Sequence, residues 1–188
     1  VRSGLLERGA ELVDLNEIDE LTVLNSVPSA EGALQMAMEA SPFCLHGAVS
    51  LVLGYGRTGQ TLAWMLRGLG GRATVIARRP EARARALAFG HEALGFDSLA
   101  SCLSGAEFCF NTVPAPVLTA GVLATANPEL TIIDLASRPG GTDFDAAAAR
   151  GIRARLAPGL PGIVAPRTAG LFLARVILGL LKETTHGR

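Results

Sequence analysis

The chain of 188 residues carries 17 Lys and Arg against 17 Asp and Glu, so its formal net charge is zero. The basic residues are scattered rather than gathered into a stripe, which argues against nucleic-acid binding. No charge-free apolar run reaches the ~18 residues that a transmembrane helix needs, so we expect no membrane span. Apolar residues make up 49% of the chain and aromatic residues 5%, a composition typical of helices packed on a buried parallel sheet.

Cysteine and histidine show no metal-ligand spacing, so no metal site is predicted. Cys44, Cys102 and Cys109 form no C-x-x-C pair, and we expect buried, free thiols in a reducing cytoplasm. The three histidines lie far apart in the sequence. The chain does not begin with Met, and from its opening residues we expect an N-terminal part to be missing.

The first forty residues predict a helix end, two strands and a helix. A helix ends at Gly9, and strands cover residues 11–15 and 21–27. Pro28 begins a helix whose apolar residues lie mostly on one side, and Pro42 ends it. This segment precedes the regular part of the chain.

From Ala48 onward, strands alternate with helices. Strands are predicted at residues 49–53, 72–78, 92–96, 107–113, 130–137 and 152–157. Helices are predicted directly after the glycines of 54–59, at 80–89, after an Asp97 cap, and at 117–126, 143–150 and 168–182. In the first of these helices Leu62, Leu66 and Leu69 form one apolar stripe. The alternation predicts the α/β class, with right-handed crossovers and a doubly wound, parallel Rossmann sheet.

The stretch LVLGYGRTGQTLA contains the pattern G-x-G-x-x-G between a buried strand and an amphipathic helix. Gly54 permits the tight turn, Gly56 lets the backbone approach a pyrophosphate, and Gly59 allows close helix–strand packing. The amides and the dipole at the helix start face bound phosphates. The pattern alone is weak evidence, but in this context it predicts a dinucleotide site, with Tyr55 and Thr58 in the same loop.

The residues after the second predicted strand indicate which dinucleotide is bound. An acid there would accept the ribose 2′-hydroxyl of NAD, but the chain has Ala77, Arg78 and Arg79. Two guanidinium groups suit a 2′-phosphate, and Arg57 in the glycine loop is a third candidate cation. We therefore expect NADP. Arg79 can equally be read as a solvated charge at a helix start, and Glu81 keeps NAD open as the alternative.

Ligands of doubly wound sheets lie at the carboxyl ends of the strands. After the fourth predicted strand, Asn and Thr offer hydrogen bonds, and Val and Pro offer packing against a nicotinamide or a ribose. After the fifth, an Asp precedes a glycine-rich loop; it is also read as a structural residue that holds loop amides. The further cofactor-binding candidates at these ends are Asn111, Thr112, Val113, Pro114, Asp134 and Ala136.

The loop after the fifth predicted strand also offers groups for a substrate. Ser137 and Arg138 are followed by Gly140 and Gly141, whose amides we expect to be free. Together these groups suit a carboxylate. The alternative is that Arg138 is an ordinary surface ion-pair partner.

No catalytic residue can be assigned. A dehydrogenase acting on an alcohol generally needs a base that titrates near pH 7, usually His. None of the three histidines falls at the carboxyl end of a predicted strand. The pattern therefore argues against oxidation of an ordinary 2-hydroxy acid and suits hydride removal from a ring whose product is aromatic.

Several strings carry a more specific resemblance. GYGRTG, NTVP, DLASRPGGTDF and LAPGLPGIVAPRTAG, in this order and spacing, resemble the A subunits of dipicolinate synthases, as does LNSVPSAEGALQMAMEAS upstream. The resemblance implies an N-terminal, flavodoxin-like substrate domain and a Rossmann domain, with the active cleft between them. It also implies NAD(P)-dependent oxidation of a dihydrodipicolinate-type intermediate to dipicolinate in sporulation, beside a flavoprotein-like B subunit.

On this chain the resemblance implies three parts. Residues 1–41 are a remnant of the substrate domain with a connecting helix, 42–165 the NAD(P)-binding domain, and 166–188 a helix that packs back on the N-terminal part. Ser26 becomes a substrate-binding residue of the cleft wall. If the chain lacks roughly the first third of the family's length, the pocket for the small dicarboxylate substrate is incomplete. We expect a homo-oligomer in the cytoplasm of the mother cell.

Two other functions stay open. One is an NADP-binding regulatory or scaffold subunit without turnover of its own, which the lack of a suitably placed His favours. The other is an enzyme resembling shikimate or 2-hydroxy-acid dehydrogenases, which needs a Lys–Asp or His–Glu pair. The chain has one Lys, Lys182, near its C-terminus.

Overall fold

The start of the chain differs from what its sequence predicts. The computed structural model describes residues 12–186, so the helix end predicted at Gly9 lies outside the described residues. Residues 12–14 form no regular element, and Leu15–Glu17 is a single 3₁₀ turn. The strand predicted at 11–15 is therefore wrong over the described residues.

Six strands and eight α-helices make up the described part of the chain. The strands are β1 (Val49–Leu53), β2 (Arg72–Ile76), β3 (Glu92–Leu94), β4 (Phe108–Asn111), β5 (Thr131–Asp134) and β6 (Arg153–Leu156). The helices are α1 (Asp19–Ala40), α2 (Arg57–Gly68), α3 (Pro80–Ala88), α4 (Leu99–Leu103), α5 (Ala120–Leu123), α6 (Phe144–Ala149), α7 (Leu160–Val164) and α8 (Pro166–His186).

All six strands pair in parallel, in the order β3-β2-β1-β4-β5-β6. The predicted doubly wound Rossmann sheet is thereby confirmed. The strand order reverses between β1 and β4, so the loops that follow these strands diverge and leave a crevice at the carboxyl edge. The register places Leu53 beside Asn111 and Asn111 beside Asp134, so the last residues of β1, β4 and β5 meet at that edge.

Each face of the sheet is covered by its own set of helices. One face presents strand residues such as Val52 and Phe110 to α1, α2, α3 and α7. The opposite face presents Leu51, Cys109 and Ile132 to α4, α5 and α6. Because neighbouring residues of a strand point to opposite faces, a strand covered on both sides is mostly apolar. This is why apolar residues predominate in β1, β4 and β5.

The prediction of a strand at residues 21–27 is wrong, because these residues lie in α1, which continues through Pro28. Their β-branched and polar side chains suggested a strand. In the helix, however, the hydroxyls of Thr22, Ser26 and Ser29 each donate to a carbonyl three or four residues earlier. A hydroxyl bonded in this way is satisfied inside a helix.

Tertiary packing supplies the remaining reason for the length of α1. The helix packs against α2, α7 and α8, and the small residues Ala30, Ala33 and Ala37 are fully buried. A Cβ at Gly32 would lie 3.0 Å from Cγ1 of Val164 in α7. Contacts with distant segments of this kind override local propensity and are not visible in one stretch of sequence.

Three smaller predictions also need correction, and one helix was missed. Asp97 lies inside a 3₁₀ turn at Phe96–Ser98 and caps no helix; α4 starts after Ser98. Leu69 is 45% exposed beyond the end of α2, whereas Leu62 and Leu66 are buried. The helix predicted at 117–126 is confined to α5, and α7 was not predicted. Each error concerns a short element or an element end, where periodicity gives little signal.

The C-terminal helix α8 lies against α1 and α7. An ion pair joins α8 to α1, with Nε of Arg175 2.9 Å from Oε1 of Glu20. The division into residues 1–41, 42–165 and 166–188 stays a prediction. Within residues 12–186, no helix combines the length and the apolar character needed to cross a membrane.

Candidate functional site

The loop between β1 and α2 makes its tight turn at Gly54, whose φ of +87° is in the left-handed region that favours glycine. Its amide donates to the Ile76 carbonyl at 2.8 Å, which ties the loop to the end of β2. A Cβ at this position would lie 2.6 Å from Oγ1 of Thr112. Gly54 is therefore required both for the turn and for the approach of the β4 end.

The other two glycines of the loop differ in their surroundings. A Cβ at Gly59 would collide with the carbonyl oxygen of Gly54, so this glycine lets α2 pack directly on the loop. A Cβ at Gly56 would meet nothing within 4 Å. Gly56 thus lies where the backbone is open to a ligand, as the motif requires.

The amides at the start of α2 have no hydrogen-bond acceptor among the described residues. Gly56 is the N-cap residue and offers no side chain. Within residues 12–186, no acceptor receives the amides of Arg57, Thr58 or Gly59; the first helical bond runs from Gln60 to the Gly56 carbonyl, at 2.9 Å. Three amides therefore point out of the helix together with the positive end of its dipole, an arrangement that binds phosphate.

A cavity of about 670 Å³ opens beside this helix terminus. Its volume lies in the range of ligand and cofactor sites. The structure brings eight of the predicted cofactor-binding residues to the cavity wall. They are Gly54, Tyr55, Gly56, Ala77, Arg78, Arg79, Val113 and Pro114.

Sequence reasoning missed the rest of the cavity wall. Phe96 could have been found, because it follows β3 and so lies at the same carboxyl edge. The residues of the Pro-rich stretch beyond Pro114 directly continue a loop that was predicted. The wall residues on helices, Ala82, Leu99 and Val122, could not have been found, because nothing in the sequence near them indicates a binding site. The wall residues not predicted are Ala82, Phe96, Leu99, Ala115, Pro116, Val117, Thr119 and Val122.

The loop after β2 is held by Arg83 of α3. Its Nη1 donates to the carbonyl oxygens of Ala77 at 2.9 Å and of Arg78 at 2.7 Å. Arg78 and Arg79 are exposed on this loop, and the Arg79 guanidinium lies 3.8 Å from the Glu81 carboxylate. The clamp by Arg83 fixes the backbone from which the Arg78 side chain reaches the cavity.

The structure does not bring Arg57 to the cavity. Its Nη1 lies 2.6 Å from Oδ1 of Asp19 at the start of α1. The prediction of Arg57 as a third phosphate-binding cation is therefore corrected: its side chain pairs with α1, and its contribution to the loop is its backbone amide. Thr112 is also turned inward, since its hydroxyl donates to the Leu53 carbonyl at 2.8 Å.

Asp134, at the end of β5, is fully buried and accepts four hydrogen bonds. Oδ1 receives Nδ2 of Asn111 at 3.0 Å and the amide of Ala136 at 3.0 Å. Oδ2 receives the amide of Gly141 at 2.8 Å and the hydroxyl of Thr142 at 2.6 Å. The carboxylate is thus saturated by the protein, which supports the structural reading of Asp134 and not its assignment as a cofactor contact.

Asn111 is saturated in the same way. Besides its bond to Asp134, its Nδ2 donates to the Val113 carbonyl at 3.1 Å and its Oδ1 accepts from the Val113 amide at 2.9 Å. The side chain is fully buried. Asn111 and Asp134 therefore act on a ligand only through the loops that they hold.

The prediction that the amides of Gly140 and Gly141 are free is also wrong. The Gly140 amide donates to the Ser137 carbonyl at 2.8 Å, and the Gly141 amide donates to Asp134. Ser137 and Arg138 are exposed, and within residues 12–186 no acid lies at ion-pairing distance from Arg138. The carboxylate receptor is thereby reduced to two side chains.

Ser26 is not brought to the carboxyl edge. It is 2% exposed, and its hydroxyl lies 2.6 Å from that of Thr61 where α1 packs on α2. The position of Ser26 therefore supports a role in helix packing and not the predicted contact with substrate.

Neither of the two histidines whose surroundings the structure describes lies at the carboxyl edge. His46 is exposed before β1. His91 follows α3 and meets the Tyr55 ring edge to face, with centroids 6.1 Å apart. Burial and the nearby Arg67 charge lower the pKa of His91, and burial raises the pKa of Tyr55.

The cysteines are free, but they are not uniformly buried as predicted. Cys44 is exposed, Cys102 half-buried and Cys109 buried. Burial and the Asp134 charge raise the pKa of the Cys109 thiol, which keeps it protonated and inert.

A parallel sheet in this order, with a glycine loop and an open helix terminus where the strand order reverses, defines a Rossmann-type domain of the dehydrogenase kind. No model of a known protein family matches the chain. The A subunit of dipicolinate synthase from Bacillus subtilis (strain 168) is 44% identical to it over 173 residues, 92% of this chain and 58% of that protein. The chain is thus a homologue of the dipicolinate synthase A subunit, which confirms the resemblance predicted from the sequence.

Solved structures agree with this relationship. The dipicolinate synthase A subunit from Bacillus halodurans has a TM-score of 0.92 at 44% identity, covering 96% of this chain and 62% of that one. Its counterpart from Bacillus subtilis has a TM-score of 0.96 at 41% identity, covering 100% and 63%. The chain therefore spans about three fifths of the length of these relatives.

More distant structures share the fold. The transhydrogenase of Sinorhizobium meliloti has a TM-score of 0.75 at 18% identity, covering 88% of this chain and 56% of that one. Shikimate 5-dehydrogenase of Thermus thermophilus, solved with NADP(H) and shikimate, has a TM-score of 0.53 at 27% identity, covering 68% and 49%.

Proposed function

We propose that the glycine loop binds the pyrophosphate of a nicotinamide dinucleotide and that the chain serves an oxidoreductase. The observation that carries the proposal is the group of three unpartnered amides at the start of α2, beside the open position at Gly56 and the cavity of about 670 Å³. These amides would hold the phosphates, and the cavity wall would hold the adenosine. The nicotinamide, when bound, supplies the hydride acceptor.

We propose NADP as the preferred dinucleotide, with NAD as the alternative. None of the three residues directly after β2 is an acid, and two of them, Arg78 and Arg79, line the cavity. A carboxylate at this position would repel a 2′-phosphate, whereas a guanidinium binds it through charge-assisted hydrogen bonds. The partial engagement of Arg79 by Glu81 leaves Arg78 as the stronger candidate.

Replacing Arg78 by alanine is expected to weaken NADP binding about tenfold to a hundredfold and to leave NAD binding within about twofold. A hydrogen bond to a charged group contributes about 1.5–3 kcal/mol, and NAD lacks the phosphate that receives it. Calorimetric titration of both dinucleotides measures the difference. Arg155→Ala, an exposed arginine on the edge strand β6, is the matched control. Equal losses for NAD and NADP would refute the role of Arg78.

For the substrate, we propose a dihydrodipicolinate-type dicarboxylate that is oxidised to dipicolinate. The homology to the A subunit of dipicolinate synthase supports this proposal. Ser137 and Arg138 are the exposed donors at the carboxyl edge, and the network around Asp134 fixes the loop that carries them. Their part is to orient a carboxylate. The product is aromatic, which reduces the need for a strong base.

Arg138→Ala is expected to lower kcat/KM for the dihydro acid at least about tenfold, because one charge-assisted bond to the substrate is lost. The appearance of reduced nicotinamide, followed by its absorbance, measures the rate. Arg155→Ala again serves as the control, since it changes the net charge by the same amount as Arg138→Ala does. An unchanged rate in Arg138→Ala would remove this residue from the mechanism.

The second candidate function is a nucleotide-binding regulatory or scaffold subunit without turnover. The observation that favours it is that His46 and His91 both lie away from the carboxyl edge. Such a protein would bind NADP in the calorimeter but produce no reduced nicotinamide, even with its partner added. The turnover measurement therefore separates the two functions.

The wider assembly is also a proposal. The homologue from Bacillus subtilis is one subunit of a synthase, which supports a partner for this chain, the B subunit. We further propose a homo-oligomer in the cytoplasm of the mother cell. The three-part division at residues 41 and 165 stays part of this proposal.

A further inference from the structure

A second cavity, of about 210 Å³, lies between α2 and the segment that follows α3. The backbone of the loop faces the larger cavity at Gly54 and Gly56, and Tyr55 lines both cavities. The chain has one Trp and one Tyr, and both line this second cavity. Its wall consists of Tyr55, Gln60, Trp64, Arg67, Phe89 and His91.

The wall offers aromatic rings that the fold itself leaves uncovered. Trp64 is 69% exposed and Phe89 is 63% exposed. Tyr55 and His91 are buried and meet edge to face. Large exposed aromatic side chains that gather around a concavity mark a binding site more often than isolated ones do. Aromatic side chains stack favourably with a flat ring.

The charge of the cavity indicates an anion. Arg67 is the one cation among the residues that line it, and none of them is an acid. Nη1 of Arg67 donates to the Phe89 carbonyl at 2.7 Å, which holds the guanidinium at the cavity rim. A guanidinium has five N–H donors, so the remaining ones can bind a carboxylate.

The volume limits the size of the ligand. The cavity has a volume of about 210 Å³. This is below the ~300–1,000 Å³ of sites for larger ligands and cofactors. A dinucleotide is therefore too large, and a single-ring acid is of the right size.

We propose that this cavity binds a single-ring aromatic carboxylate and that its occupancy changes the affinity of the glycine loop for the dinucleotide. The second half of the proposal rests on the proposed function. Tyr55 is the physical link, because its ring forms one wall of the small cavity while its backbone lies between Gly54 and Gly56. A ligand that restricts Tyr55 alters the cost of ordering the loop, and such coupling is reciprocal.

The fluorescence of Trp64 reports on this site directly, since the chain has no other Trp. Pyridine-2,6-dicarboxylate and benzoate are the probes, with malonate as a carboxylate that has no ring; excitation at the red edge of the indole band avoids absorption by the probes. We expect saturable quenching by the aromatic acids and none by malonate. Arg67→Gln and, separately, Phe89→Ala should weaken binding at least about tenfold, because one removes the cation and the other a ring.

The control variant is Arg155→Gln, which removes an exposed arginine far from the cavity and should bind like the original protein. Circular dichroism shows whether each variant folds. If Arg67→Gln does not fold, Phe89→Ala provides a second test, because Phe89 is exposed and its loss should not disturb the fold. Absence of saturable quenching would overturn the proposal, as would equal binding by Arg67→Gln and Arg155→Gln. A Trp64 signal that ignores the acids and changes with protein concentration would overturn it in favour of a protein interface.

Calorimetric titration of NADP with and without pyridine-2,6-dicarboxylate tests the coupling. We expect the NADP affinity to change at least about threefold in the original protein and not in Arg67→Gln. If NADP binds with an affinity that the acid leaves unchanged, the coupling is overturned while the proposed function stands. If NADP does not bind at all, the proposed function and the coupling both fail, whereas the acid site is still decided by fluorescence.

Discussion

Replacing Gly59 by alanine is expected to weaken dinucleotide binding at least about tenfold and to lower the free energy of unfolding by about 1–3 kcal/mol. The added Cβ would collide with the carbonyl oxygen of Gly54, a backbone atom that no rotamer change can move away. Helix α2 must therefore shift from the glycine loop, and the three amides at its start lose their common direction. Urea denaturation and calorimetric titration measure the two effects.

Gly68→Ala is the matched control, in the last turn of the same helix. A Cβ there meets nothing within 4 Å, and its backbone is helical. Alanine in a helix is favoured over glycine by up to about 1 kcal/mol, so this variant should be equally or more stable and should bind the dinucleotide normally. If Gly59→Ala also bound normally, the close packing of α2 on the loop would not matter for the site.

Asp134→Asn is expected to lower the free energy of unfolding by about 2–4 kcal/mol, since a buried donor is left unsatisfied. Both oxygens of the carboxylate accept a backbone amide, from Ala136 on one side and from Gly141 on the other. Whichever oxygen becomes an NH₂ group, a donor then faces a donor in a fully buried position. Chemical denaturation measures the loss.

The same substitution should loosen the loop that carries Ser137 and Arg138, because its two anchoring amides are on either side of these residues. Asp143→Asn is the matched control on this loop. The Asp143 carboxylate caps α6 by accepting the Ala146 amide at 2.9 Å, and Asn is as good an N-cap as Asp. A change within about 0.5 kcal/mol is expected there. A similarly small change in Asp134→Asn would show that the buried network is dispensable.

The comparison of Asp134 with Arg138 separates two kinds of residue at the site. Asp134 reaches no ligand, because both of its oxygens are fully used by the protein. Arg138, four residues later, is exposed and without an acidic partner in the described part of the chain. The buried residue fixes the loop, and the exposed residue is available for the substrate.

The sequence by itself determined the parallel sheet, the position of the glycine loop and the residues that follow β1 and β2. These features are local: a run of apolar residues, three glycines at fixed spacing and the side chains that come next. The roles of Gly54, Gly56 and Gly59 follow from the geometry of a strand, a turn and a helix, which are adjacent in the chain.

Only the tertiary structure decided which polar groups are available to a ligand. Arg57 is paired with Asp19, 38 residues away, and the Gly141 amide is bound to Asp134. Residues 21–27 are helical because α1 packs against α2, α7 and α8, all distant in sequence. The sequence does not show whether a donor or acceptor is already hydrogen-bonded within the protein. Its partner is often distant in the chain, and only the fold brings the two together.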